Sequence, residues 1–150
     1  LITDLRATFE TNTFGPAIVT EAFTPLLSKS KNGRLVYITS GLGSLTRRSD
    51  PLDSYYKTPG VTYRMSKAAL NMLAICHHVA LGPQGIKVWT FCPGYVVTNL
   101  SGTGEKGRRE RVERGAGDPK ESAEGILVIV EGRRDSEVGK FVHKDGMHPW

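Results

Sequence analysis

The segment TYRMSKAALNMLAICHHVALGPQGIKVWTFCPG, Thr62–Gly94, changes periodicity half-way along. In its first half, apolar residues recur at Met65, Ala68, Ala69, Met72, Leu73 and Ile75. That spacing predicts a helix over about 62–81, ended by Gly82-Pro83. Its second half, IKVWTFCPG at Ile86–Gly94, is a β-branched and aromatic run stopped by Pro93-Gly94, which predicts a strand. A long helix feeding directly into a buried strand is the building unit of an α/β fold.

Outward from this segment the alternation continues. Residues 1–28 read as one long helix: Leu5, Phe9, Ile18, Ala22 and Leu26 keep roughly helical spacing, and Gly15-Pro16 predicts a kink. After a turn at Asn32–Arg34, RLVYIT at Arg34–Thr39 reads as a buried strand. Ser40–Val61, rich in Gly, Ser and Pro, reads as a long loop. Residues 95–117 read as irregular or lid-like. Asp118 as N-cap, Pro119 at the first helical position and Glu121 two further on mark another helix start. Lys140–Gly146 predicts a last short strand and turn. The order helix, strand, helix, strand, helix, strand argues for an α/β fold with a parallel sheet in one domain, 1–150, without repeats or a dividing linker. Three strands make a thin sheet with an open edge, and residue 1 is not methionine. Both suggest a piece of a longer chain, with the missing part before residue 1.

Composition excludes several classes. Of the 150 residues, 39% are hydrophobic and 23% charged, as in ordinary globular proteins. The longest purely apolar run, Ile126–Val130, is too short to cross a membrane, and LITDLRATFE lacks the form of a signal peptide. The two cysteines, Cys76 and Cys92, make no disulfide framework and favour a reducing, cytoplasmic setting. The net charge of +5 centres on Glu105–Gly115, where glutamates interleave with lysine and arginine and no aromatic is present. That is a solvated face rather than a nucleic-acid surface. His77-His78 lack partner ligands, so no metal site is expected.

The functional signal lies at the start of the 62–81 helix. Tyr63 and Lys67 stand one turn apart on one face. A lysine ammonium there would lower the phenol pKa from near 10, and a tyrosine so tuned exchanges a proton with a carbonyl or alcohol oxygen. Ser40 falls at the carboxyl end of the first strand, the edge at which open parallel sheets bind ligands.

Taken together, these residues resemble the short-chain dehydrogenase/reductase family across nearly the whole chain. The resemblance rests on four motifs in order: Asn12 in ETNTFGP, Ser40 in VYITSG, Tyr63-x-x-x-Lys67, and Pro93-Gly94 in CPGYVVT. The C-terminal GKFVHKDGMHPW is similar to the tail of fungal, carbonyl-reductase-like members. The resemblance implies a doubly wound, Rossmann-type sheet and an NADP- or NAD-dependent interconversion of a carbonyl and an alcohol, with NADP slightly favoured. It implies Tyr63 as general acid/base, Ser40 orienting the substrate carbonyl, and Lys67 on the nicotinamide ribose. Asn12 would fix a water in a proton relay. The Val96 backbone and the Thr98 hydroxyl would hold the carboxamide, with Pro93-Gly94 passing close to the ring. It also implies a homo-oligomer through the helices at 1–28 and 62–81, and no nucleic-acid or membrane partner.

One family feature is absent. No Thr-Gly-x-x-x-Gly-x-Gly turn occurs: SGLGS at Ser40–Ser44 leads into a loop, and SGTGEKG at Ser101–Gly107 follows no strand. The chain therefore reads as the C-terminal, catalytic and substrate side of a family member, with the N-terminal cofactor-binding half absent. The alternative is a truncated, catalytically inactive remnant that acts only through helix–helix association.

Overall fold

The computed structural model describes residues 1–100 and 104–150. Three parallel strands carry the fold: β1 Arg34–Ile38, β2 Lys87–Cys92 and β3 Phe141–His143, side by side in that order. A fourth, β4 Gly146–Met147, turns back antiparallel on β3, so the sheet is mixed at its C-terminal edge. β2 is central and buried along almost its whole length, because the 62–94 segment places apolar side chains on both of its faces. Val88 packs with Tyr37, Leu70, Ala74 and Leu81 under helix α4, Val61–Leu81. Trp89 and Phe91 point the other way and pack with Ile129 of helix α6, Pro119–Val130, and with Val142. Helices thus cover opposite faces of the sheet, as the alternating pattern requires.

The first helical region is α1 Ile2–Phe9 and α2 Gly15–Leu27, joined without a break by a π turn over Glu10–Phe14. The distortion expected at Gly15-Pro16 is this π turn. Gly15 N–H passes its α-helical partner and donates to the Glu10 carbonyl, while Pro16 has no N–H to give. The regular helical donors of the Thr11 and Asn12 carbonyls are therefore both lost.

Two segments hold more structure than their composition suggests. Within the Ser40–Val61 stretch, α3 Leu45–Ser49 is capped by Ser44, whose hydroxyl accepts from Arg47 N–H at 3.1 Å. Within 95–117, α5 Gly104–Glu113 is a helix. It has no apolar stripe, and it carries an Arg109–Glu105 pair at 2.9 Å and an Arg111 bond to the Thr98 carbonyl. Positions 101–103, the start of the SGTGEKG stretch, lie outside the described residues. The start predicted for α6 is present: Asp118 accepts from Lys120 N–H at 2.8 Å, with Pro119 at the first position. Among the described residues the outer edge of β1 pairs with no strand. Ile18, Val19, Phe23 and Leu26 of α2, and Met65, Met72 and Val79 of α4, are exposed.

Candidate active site

The site forms where β1 ends against the start of α4. Thr39 follows β1 and is buried; its hydroxyl donates to Asn71 Oδ1 of α4 at 2.6 Å. Gly43 lies against the α4 backbone so closely that a Cβ would come 2.8 Å from the Lys67 carbonyl carbon. These two contacts lock the residue between them, Ser40, onto the first turns of α4, where Tyr63 and Lys67 stand. The Ser40 hydroxyl also accepts from Leu42 N–H at 3.2 Å, which holds its rotamer.

Ser40, Tyr63, Asn12 and Gly94 line one cavity of about 790 Å³, with Cys92 in its wall. The Ser40 side chain acts on the Tyr63 phenol as a hydrogen-bonding neighbour and lowers its pKa, but burial is the larger influence and leaves it raised above 10.0. Lys67 does not offset this. Its ammonium sits 5.7 Å from the centre of the Tyr63 ring and donates to the Ile38 carbonyl at 3.1 Å. Burial lowers the pKa of Lys67 itself. The lowered tyrosine expected from the helical spacing is therefore absent in this state, because the ammonium reaches over the ring to a strand carbonyl. Lys67 opens instead into an adjoining hollow of about 330 Å³, to which Asn12 and Thr11 also belong. Asn12 stands on the π turn between the two spaces, its amide donating to Ser66 Oγ at 3.1 Å, and Ser66 donates to the Tyr63 carbonyl at 2.8 Å.

The 93–98 stretch divides. Gly94, at φ 80°, lines the larger cavity with open space where a side chain would be. Pro93, Val96 and Thr98 line neither space. The Pro93 carbonyl accepts from the Ser122 hydroxyl at 2.5 Å. Val96 is bridged to Gly117, and the Thr98 hydroxyl accepts from Leu100 N–H at 3.3 Å.

Cys92, Leu42, Tyr55 and Thr58 also line the cavity. Cys92 is buried, its sulfur accepting from Gly41 N–H at 3.1 Å. Its place was readable from the end of β2, beside Ser40 at the end of β1. Tyr55 stands in the segment whose extra length suggests a role in shaping the pocket, whereas the Thr58 position carries no sequence signal, since it depends on how the 50–60 segment wraps. Among the described residues no group of His, Cys, Asp and Glu could hold a metal ion, and no helix is long and apolar enough to cross a membrane.

With this geometry in place, comparison with known proteins gives the class. The family profile described as short chain dehydrogenase matches residues 2–109. The chain belongs to the short-chain dehydrogenase family. It is 36% identical to Short-chain dehydrogenase/reductase tropE of Talaromyces stipitatus, over 92% of this chain and 55% of that protein. It is 31% identical to C-signal of Myxococcus xanthus, over 98% of this chain and 79% of that protein. NADPH-bound carbonyl reductase from chicken fatty liver shares the fold at a TM-score of 0.79 and 27% identity, over 100% of this chain and 58% of its own. The chain spans little more than half the length of tropE and of the chicken reductase.

Proposed function

We propose that these residues form the proton-transfer and substrate-binding side of an NAD(P)-dependent oxidoreductase that interconverts a carbonyl and an alcohol. The observation that carries this reading is the meeting of Ser40, Tyr63 and Asn12 in one cavity at the carboxyl edge of parallel strands. The NADPH-bound carbonyl reductase among its structural relatives supports the cofactor class. The residues present fit the nicotinamide end of such a cofactor. Lys67 has two ammonium hydrogens beyond the one spent on Ile38, the Thr98 hydroxyl can donate while its oxygen accepts from Leu100 N–H, and Gly94 leaves open space. When bound, the cofactor supplies the hydride for the carbonyl carbon.

The chain's own residues do the rest. Ser40 donates a hydrogen bond to the substrate oxygen and fixes its position. Tyr63, protonated because burial raises its pKa, gives its phenolic proton to that oxygen as negative charge develops there. Lys67 holds the ribose, and Val96 and Thr98 hold the carboxamide, which requires the 93–98 stretch to turn toward the cavity. The Asn12 carbonyl, released from its helical donor at Pro16, holds a water through which the phenol is reprotonated. Cytoplasmic residence is part of the reading and is supported by the two free cysteines. Association with a second copy is supported by the exposed apolar residues of α2 and α4.

The test is carbonyl reduction by the full-length product that contains these residues, wild type against Tyr63→Phe. Loss of about 10²–10⁴ in turnover with an unchanged melting temperature is expected. Activity retained in Tyr63→Phe would end the reading. A second reading, a catalytically inactive chain acting through helix–helix association, is favoured by the same apolar faces. Sedimentation of the 150-residue chain as a stable monomer would end that one.

A further inference from the structure

We infer that Arg64 is a positioning residue that fixes one wall of the substrate cavity, and that this wall selects a bulky aromatic carbonyl compound over a small aliphatic one. The inference rests on the carbonyl-reduction reading above and deepens it. Arg64 follows Tyr63 in α4 and is only 7% exposed. Among the described residues it forms no ion pair. A buried cation without a counter-charge is costly unless its donors are all met. Here they are met by backbone carbonyls. Nε and Nη2 donate to Thr58 O at 3.1 and 2.9 Å, Nη1 donates to Leu42 O at 3.1 Å, and Nη2 also donates to Tyr55 O. Leu42, Tyr55 and Thr58 all line the cavity. One guanidinium thus holds three points of the cavity wall, and it does so from the residue adjacent to the phenol. The distance from the wall to the proton donor is set within a single helical turn.

Two further arginines complete the brace. Arg48 donates to the carbonyls of Tyr56 and Thr58. Arg47 donates to Asp53 at 2.8 Å and lies over the Tyr55 ring at 3.8 Å. The Tyr55 ring also packs on Gly41, where a Cβ would come within 2.6 Å of it. Tyr55 is therefore a rigid aromatic surface packed against the residue next to Ser40. With Tyr95 and Leu100 also lining it, the cavity of about 790 Å³ suits an aromatic ring beside the reacting carbonyl. Lysine cannot replace Arg64 in this role, because a point ammonium does not span three separated acceptors.

The experiment uses the full-length protein and two probes, the fluorescent ketone 2-acetylnaphthalene and acetone. It reads binding of the first by fluorescence and reduction of both. Arg64→Met and Arg64→Lys are each expected to weaken 2-acetylnaphthalene about tenfold, in Kd and in KM, as does Tyr55→Ala. Their kcat/KM for acetone should fall by less than that for 2-acetylnaphthalene, so that the preference of wild type for the aromatic ketone narrows. Because Arg64 acts by placing the Tyr55 ring, adding Arg64→Met to Tyr55→Ala should cost little more. Should Arg64→Met not fold, the same cycle is run with Arg64→Lys. Parallel losses for both ketones, wild-type behaviour of Arg64→Lys, or multiplying effects in the double variant would each reduce Arg64 to a structural residue and overturn the inference. Wild type that binds 2-acetylnaphthalene and reduces no carbonyl would sink the reaction reading and leave the wall standing. Wild type that reduces acetone yet prefers it to 2-acetylnaphthalene would do the reverse.

Discussion

The Lys67 ammonium passes over the Tyr63 ring, 5.7 Å from its centre, and bonds the Ile38 carbonyl rather than facing the phenol oxygen. Burial therefore dominates the phenol and raises its pKa above 10.0, against the smaller lowering by Ser40. A raised pKa keeps the phenol protonated across the neutral range, the form that the proposed carbonyl reduction needs, and leaves little of the phenolate that alcohol oxidation would need. For the full-length enzyme, kcat/KM for carbonyl reduction should be flat from about pH 6 to 9 and decline only above the ordinary tyrosine range. Alcohol oxidation, which needs the phenolate, should climb throughout that interval. Rate profiles in both directions check this. A reduction rate that falls through an apparent pKa near about 7 would mean that a positive charge reaches the phenol in the working complex.

The close approach of Gly43 to α4 gives a second expectation. A Cβ there would lie 2.8 Å from the Lys67 carbonyl carbon and 3.0 Å from Ala68 N, and backbone at both points cannot yield. Gly43→Ala must push the 40–44 turn off the helix and carry Ser40 away from Tyr63. A loss of about 1–3 kcal/mol in stability is expected, with a fall in turnover beyond the loss of folded protein. Gly82→Ala is the control, since a Cβ at Gly82 meets nothing within 4 Å. Thermal melts of the two variants should separate clearly, and equal melting temperatures would contradict the packing described.

The elements that could be read from sequence are those whose signal is local. The 62–81 helix is present as Val61–Leu81 because its apolar stripe and the Gly82-Pro83 break act within a few residues. The Asp118 cap is present for the same reason. The places of Ser40 and Tyr63 were legible because a strand end and a helix start fix where a side chain emerges, whereas Asn12, in the middle of the first helical region, was picked out by the family resemblance alone. The helix Gly104–Glu113 was not, since alternating charges give no hydrophobic period. Nor was the direction of the Lys67 ammonium, which depends on the Ile38 carbonyl of a distant strand. Arg64 carries no signal of its own in the sequence; only the wrapping of 42–58 around it shows that it is buried.

Away from the site, Asp135 governs part of the acid limb of stability. It accepts from Arg34 at 2.5 Å and from Lys87 at 2.5 Å, which together hold its pKa at about 2 against an ordinary 3.8. A carboxyl depressed on folding stabilises the fold above its unfolded pKa and loses that contribution as pH falls through the folded value. Between pH 3.8 and about 2, wild type should therefore lose stability more steeply than Asp135→Asn. Denaturant melts at several pH values test this, and identical slopes in that window would show that the triad is not formed in solution.

The last expectation concerns the cofactor. Tight binding of a dinucleotide needs backbone N–H groups at a helix N-terminus, with glycines that let the chain approach the pyrophosphate. Nothing in the 150 residues matches Thr-Gly-x-x-x-Gly-x-Gly. On the proposed reading they would offer only the nicotinamide end: Lys67 for the ribose, open space at Gly94, and the Val96 and Thr98 groups once the 93–98 stretch turns inward. A charge-assisted bond and a few neutral ones contribute a few kcal/mol before the cost of association. That corresponds to a Kd of about a millimolar or weaker. The 150-residue chain alone should then show no NADPH- or NADH-dependent carbonyl reduction at micromolar cofactor, whereas a longer product that includes a glycine-rich strand–turn–helix should be active. Fluorescence titration of both nucleotides into the isolated chain decides the point. Micromolar affinity would mean that these residues build a phosphate site by some route other than a glycine turn.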